Sequence, residues 1–320
     1  MGGGEKSEML TLEDLARMAQ LSSALEVCGH PKPGNVHRTS DFPDATFEQF
    51  VASTIAIGPA MLLAARRGFS VGKGELRKEE VGLGGIMEEA MRETRKWQKD
   101  GNTNLGTILL LTPLTAAAGW VLAEEGRIGG ESLRRRLSEL LKATTPEDAV
   151  GLYRTVLLAE PAGLGKLEDL DVNDPRSQEE LRRRGISAYE VMRICSGWDD
   201  VAREWVTDYS ITFEFGYPTL VRIYKQTNHI NTTTVQTFLE LLAFRPDTFV
   251  ARIKGRKKAE EASQKARRVL EEGGMLTERG RRMVKELDEE FKGEDINPGT
   301  TADLTASSWM LALLLEGIRP

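Results

Sequence analysis

The chain has 320 residues, 40% hydrophobic and 29% charged, the balance of a folded globular protein with a sizeable core and not of a disordered one. Its 43 Lys and Arg stand against 49 Asp and Glu, a net charge of -6, which argues against a protein that coats nucleic acid by neutralising phosphates. Only two cysteines occur, Cys28 and Cys195, without C-x-x-C spacing, so neither a disulfide framework nor a thiolate zinc site is expected, and the expected location is cytoplasmic.

Residues 1–8 read as a flexible tail, because Lys6 stands where a myristoylation signal wants Ser or Thr and no apolar signal region follows. From residue 9 onward, apolar residues recur at three- and four-residue spacing, as in Leu12, Leu15, Ala19, Leu21 and Leu25 or Val81, Ile86, Ala90 and Met91. Further helices are expected over 46–67, 105–123, 131–143, 146–158, 177–196, 198–216, 233–244, 257–272, 276–291 and 301–316. Strict alternation is scarce, which leaves little room for strands. The longest apolar stretch, Leu105 to Ala123, is broken by Thr107, Thr112, Pro113 and Thr115 and reads as a buried helix, with no membrane span. The charge-rich stretch 254–294 reads as a pair of solvated surface helices. The expected fold is therefore all-α, a single compact multi-helix domain over 9–320 with polar loops between helices. The apolar end from Trp309 to Leu315 leaves a homodimer open.

Four loops carry most of the chemistry-bearing residues. HPKPGNVHRTSDFPD packs Lys32, Asn35, His37, Arg38, Asp41 and Asp44 around two prolines and a glycine. Cation, amide, imidazole and carboxylate in one stiff segment suit a phosphate-bearing ligand with a metal ion, although a proline-stiffened connection with a capping Asp explains the same residues. GNTNLG leads into the apolar helix at Leu105, where Asn102, Thr103 or Asn104 can cap and the free amides form an anion site. Two asparagines between two glycines exceed what a cap needs. INPGTTADL offers an N-cap threonine, Asp303 in the first turn and an Asn297-Pro298-Gly299 turn of the kind that aims amides at an oxyanion. RPDTFVARIKG brings Asp247, Arg252 and Lys254 near a helix start, which an N-cap followed by exposed basic residues would also explain. There is no P-loop, no G-x-G-x-x-G after a strand, no H-E-x-x-H and no G-x-S-x-G, so a nucleotide would be bound outside the familiar folds.

Taken in order, HPKPGNVHR, GNTNLG, GLG followed by DLDV, PDT and NPGTTADL resemble the triphosphoribosyl-dephospho-coenzyme A synthase family, over about Leu25 to Leu315. The resemblance implies an all-helical transferase that breaks the ribose–adenine bond of ATP and passes the triphosphoribosyl group to the 2'-hydroxyl of 3'-dephospho-coenzyme A. Where the citrate-lyase branch has N-T-H-K-G, this chain has Asn102, Thr103, Asn104, Leu105 and Gly106, a variant that resembles the archaeal and methylotroph branch. A different nucleotide-dependent transferase or nucleosidase of one-carbon cofactor assembly, and a noncatalytic nucleotide-binding protein, are the rival readings.

Such a displacement passes through an oxocarbenium-like state, with proton transfer at the incoming hydroxyl and the departing base. The resemblance then implies phosphate contacts from Lys32, Arg38, Lys254 and the loop amides near Asn104 and Gly299. Mg2+, inferred from the polyphosphate of ATP, would fall to Asp41, Asp44, Asp171 and Asp247. Asp44 and Asp247 are also the candidate bases, His37 the candidate proton donor, and Asn35, Asn102 and Asn297 the orienting groups. Small-molecule nucleotides are the expected partners, with no nucleic acid and no membrane.

Overall fold

Helices begin where the sequence supplies a cap, and the capping box recurs. In a computed structural model that describes residues 10–42, 45–99, 101–165 and 168–320, helix α1 (Leu12–Cys28) starts at Thr11, whose hydroxyl accepts from the Asp14 amide while the Asp14 carboxylate accepts from the Thr11 amide. The same reciprocal pair opens α2 (Phe47–Ala56) at Thr46. The expected tail, residues 1–8, lies outside the described residues.

The expected helix over 46–67 is two helices. Pro59 has no amide to donate back to Ile55, so the chain breaks at Ile57 and restarts as α3 (Gly58–Gly72). Then come α4 (Leu83–Trp97), α5 (Leu105–Glu125), α6 (Gly130–Lys142) and α7 (Pro146–Ala159). The run 177–196 divides at Gly185, left-handed at φ 68°, into α8 (Ser177–Arg184) and α9 (Ala188–Cys195). The run 198–216 keeps only α10 (Asp200–Val206), because Asp208 and Tyr209 both take positive φ before a π-helical turn over Thr212–Gly216. A helix not expected, α11 (Tyr217–Thr227), follows with Pro218 in its first turn, where no amide is missed. The chain closes with α12 (Ile230–Phe244), α13 (Thr248–Lys254), α14 (Arg256–Glu271), α15 (Glu278–Gly293) and α16 (Gly299–Glu316). Among the described residues there are no strands, only the isolated bridges His37–Ser40 and Phe42–Ala45.

Helix α5 is buried from Thr107 to Leu122, which explains why it is apolar all round. It and the segment Phe47–Gly72 are long and apolar enough to cross a membrane; in α5 that apolarity is spent on the core. Helix α3 lies so close to α5 that a Cβ on Gly68 would stand 1.8 Å from the Ala116 carbonyl oxygen. Trp309 to Leu314 of α16 are buried as well, so the apolar end that suggested self-pairing is core instead of surface. A second apolar cluster joins Phe238 and Leu242 of α12 to Val250, Ala262, Val284 and Phe291. Helices α14 and α15 present charged outer faces, with pairs such as Lys265–Glu290, as expected of surface helices.

Candidate active site

The ends of α1, α7 and α9 and the starts of α5, α10 and α16 surround a cavity of about 320 Å³, within the range of small-molecule sites. One wall is polar, with Glu26, Asn35, Asn104, Asn297 and Asp303; the other is apolar, with Leu152, Val156, Leu164, Val172 and Met192. Trp198 stands 54% exposed among the lining residues.

The polar wall is built from the expected loops. Cis-Pro31 and Gly34, left-handed at φ 69°, shape the first loop. Gly34 is pressed so tightly that a Cβ there would lie 2.1 Å from the Ile296 carbonyl oxygen. Asn35 is 4% exposed and donates through Nδ2 to Asn297 Oδ1 at 2.8 Å, while its own Oδ1 has no partner. In the second loop Asn104 holds the N-cap position of α5 without a side-chain capping bond, and Asn102 Oδ1 instead accepts from the Leu105 amide at 3.1 Å. The Asn104 side chain is therefore released from capping; the residue is also 4% exposed, with an unpartnered Oδ1. Buried polar atoms normally find partners within the protein, so two unpaired oxygens on residues that line one cavity set this wall apart.

Asn35, Asn102, Asn104, Asp171, Asn297 and Gly299 thus line one cavity. The other expected residues that are described, Lys32, His37, Arg38, Asp41, Asp247 and Lys254, do not. Lys32 is fully buried with its Nζ on the Glu26 carboxylate, which lines the cavity in its place. Burial pulls the Lys32 pKa down, against the charge of Glu26. His37 is 2% exposed and bonds Asp288 through Nε2 at 3.1 Å, with Lys292 Nζ 2.6 Å from the same carboxylate oxygen. Arg38 donates to Asn231 Oδ1 at 2.8 Å, and Lys254 lies 3.6 Å from Asp295.

Among the described residues, the carboxylates expected to hold a metal, Asp41, Asp171 and Asp247, do not form a set. Asp41 Oδ1 accepts from the Phe47 amide at 2.7 Å, at the start of α2. Asp44 lies outside the described residues. Asp171 accepts from the Asn173 backbone and side chain. Asp247 caps α13 through Val250 with one oxygen and holds the amide and hydroxyl of Thr301 with the other, both at 2.7 Å. Burial pushes its pKa up to about 6 against those bonds. Among the described residues, no group of three His, Cys, Asp or Glu side chains could hold a metal ion.

Residues outside the expected set also line the cavity. Glu26 sits within the apolar run Leu25-Glu26-Val27, and a charge at a core position of an amphipathic helix was the available signal. Asp199 caps α10 and lies 3.4 Å from Arg252; burial raises its pKa, opposed by that cation. Arg252 stacks on Phe249 at 5.1 Å. Asp303, expected in the first turn after an N-cap threonine, lies past that turn because α16 starts at Gly299 with no side-chain cap; it accepts from Thr107 Oγ1 at 2.7 Å, and burial pushes its pKa up to about 8.

An all-α protein whose separated polar loops close on one acid-lined cavity is the class that this geometry defines. The chain belongs to the ATP:dephospho-CoA triphosphoribosyl transferase family, whose model matches residues 12–319. It is 31% identical over 100 residues to the 2-(5''-triphosphoribosyl)-3'-dephosphocoenzyme-A synthase of Klebsiella pneumoniae, a match covering 31% of this chain and only about a third, 33%, of that relative. The synthase of the same name from Pectobacterium atrosepticum is 25% identical over 312 residues, 96% of this chain and 91% of that one. A crystal structure from Archaeoglobus fulgidus, described as a candidate triphosphoribosyl-dephospho-coA synthase, superposes with a TM-score of 0.63 at 28% identity, over 86% of this chain and 100% of that one.

Proposed function

We propose that this protein transfers the triphosphoribosyl group of ATP to the ribose 2'-hydroxyl of 3'-dephospho-coenzyme A and releases adenine. The observation that carries the reading is the convergence of Asn35, Asn102, Asn104, Asp171, Asn297 and Gly299, from loops far apart in sequence, on one cavity with two unpaired buried oxygens. Ribose hydroxyls and an exocyclic amino group are donors of the kind those oxygens lack.

The charges near the cavity pair off internally, Lys32 with Glu26 and Arg252 with Asp199. Among the described residues, little free positive charge is left for a triphosphate. The first turns of α5 and α16 reach the cavity and supply amides for phosphate oxygens. The protein does not build a Mg2+ site from Asp41, Asp171 and Asp247, so the metal would enter on the polyphosphate as part of MgATP. The apolar wall suits the uncharged arm of the acceptor. A cytoplasmic location belongs to the same reading, supported by two free cysteines.

The test is incubation of the purified protein with MgATP and 3'-dephospho-coenzyme A, followed by chromatography for adenine and mass spectrometry of the product. Adenine and a triphosphoribosylated acceptor in equal amounts are expected. Release of ADP or pyrophosphate without adenine would contradict ribosyl transfer, and adenine release only with another acceptor would move the acceptor assignment.

A further inference from the structure

The cavity holds two acids in unlike surroundings. Glu26 is bonded to the Lys32 ammonium, whereas Asp303 is bonded to the neutral Thr107 hydroxyl and feels the Lys32 charge without an ion pair to it. The charged groups that face Asp303 are Glu26 from α1, Asp247 from the start of α13 and Asp199 from the start of α10, with Lys32 behind Glu26. These three acids disfavour a further negative charge, with the Lys32 cation opposing them. One carboxyl oxygen of Asp303 is fixed by Thr107. The other occupies the space beside Gly106 where a Cβ would be 2.0 Å away, on the cavity wall. The glycine that ends GNTNLG therefore makes room for this carboxyl, and the unpartnered oxygens of Asn35 and Asn104 share the same wall.

We propose that Asp303 is the acid that protonates the departing adenine. This assignment rests on the reading of function given above. As the bond from ribose C1' to the adenine nitrogen breaks, its electron pair leaves with the base, and the proton on the Asp303 oxygen beside Gly106 passes to a ring nitrogen. The acceptor hydroxyl forms the new C1'–O bond and loses its proton. Asp303, left as a carboxylate, is reprotonated at the expense of that proton, so turnover consumes none. Burial among carboxylates keeps Asp303 protonated near neutral pH, as the role requires.

The test compares wild type with Asp303→Asn and Thr107→Val on two donors, ATP and its N7-methylated analogue, whose cationic base departs as a neutral molecule without a proton. Asp303→Asn should lower kcat with ATP by about a hundredfold to ten-thousandfold and leave the analogue within a few fold of wild type. Wild-type kcat should fall as pH rises through about 8. Thr107→Val removes a hydrogen bond that lowers the Asp303 pKa, so it should move that fall to higher pH, which a merely structural threonine would not do. Equal loss on both donors, full activity of Asp303→Asn on ATP, or an unmoved alkaline limb in Thr107→Val would each overturn the assignment. Should Asp303→Asn not fold, the Thr107→Val limb still decides. Wild-type protein that frees no adenine from ATP with any acceptor would instead defeat the reading of function.

Discussion

Asn35 and His37 stand two residues apart in one loop and end in opposite situations. Asn35 faces the cavity and leaves an oxygen unpaired at 4% exposure. His37 turns to α15, where its ring meets Asp288 and Lys292 on one side and the Thr39 hydroxyl on the other. Asp288 also accepts from the Gly34 amide at 3.0 Å, so this second polar cluster is a clamp that pins the loop against the helix. A buried polar group whose bonds are all made stabilises the fold, and one whose bonds are incomplete waits for a ligand. The comparison separates structure from function within a segment whose residue types look uniformly catalytic.

The largest expected effect would break the clamp side of the comparison. Asp288→Ala strands His37, Lys292 and the Gly34 amide together and should destabilise the fold by about 3–5 kcal/mol, as removal of one partner from a buried pair does, measured by urea denaturation. Burial pulls the His37 pKa below 6.5, while hydrogen bonds from His37 and Lys292 hold Asp288 below 3.8 against the upward push of burial. Both folded-state values lie below the unfolded ones. Each contribution is therefore complete above the unfolded value and is lost as pH falls, for His37 below 6.5 and for Asp288 below 3.8. His37→Gln, which cannot titrate, should flatten the loss of stability that begins near 6.5. A variant of the clamp that keeps its stability but loses turnover would place His37 back among the reacting groups.

On the cavity side, Asn104→Ala should reduce turnover about tenfold to a thousandfold, the span for loss of one contact that strengthens in the transition state. Its thermal midpoint should stay at or slightly above that of wild type, because the variant deletes a buried oxygen that the folded protein never pairs. Thermal melts beside adenine-release rates make the check. A large drop in midpoint with unchanged turnover would reverse the roles of the two clusters.

The helical content was legible because α1 and α4 follow the apolar spacing closely. The breaks at Ile57 and Gly185 were not, since Pro59 and Gly185 act through single missing or left-handed amides that a smooth apolar pattern hides. Within the site, the loops were legible as loops and the asparagines as excess over capping. The direction in which each side chain turns was not, and that alone divides Asn35 from His37 and Lys32. Asp303 shows the limit: read as a first-turn acid it needs only the helix dipole, but α16 starts earlier, at Gly299, and carries it past the first turn onto the cavity wall against Gly106.

The smallest effect concerns Asp41, which chemistry alone would place with a metal. It accepts from the Phe47 amide at the start of α2 and is exposed, so Asp41→Ala should cost only about 0.5–2 kcal/mol, the range for losing a carboxylate that satisfies a helix-start amide. Because α2 also carries Phe50 to the cavity, some fraying there could reach the site. Asp41→Asn keeps an acceptor oxygen for the amide and should restore both stability and turnover, while a carboxylate that ligates Mg2+ could not be replaced this way. A turnover defect in Asp41→Asn that extra Mg2+ relieves would show that this acid belongs with the metal of MgATP after all, and that an exposed, singly bonded carboxylate can matter as much as the buried, unpaired amides.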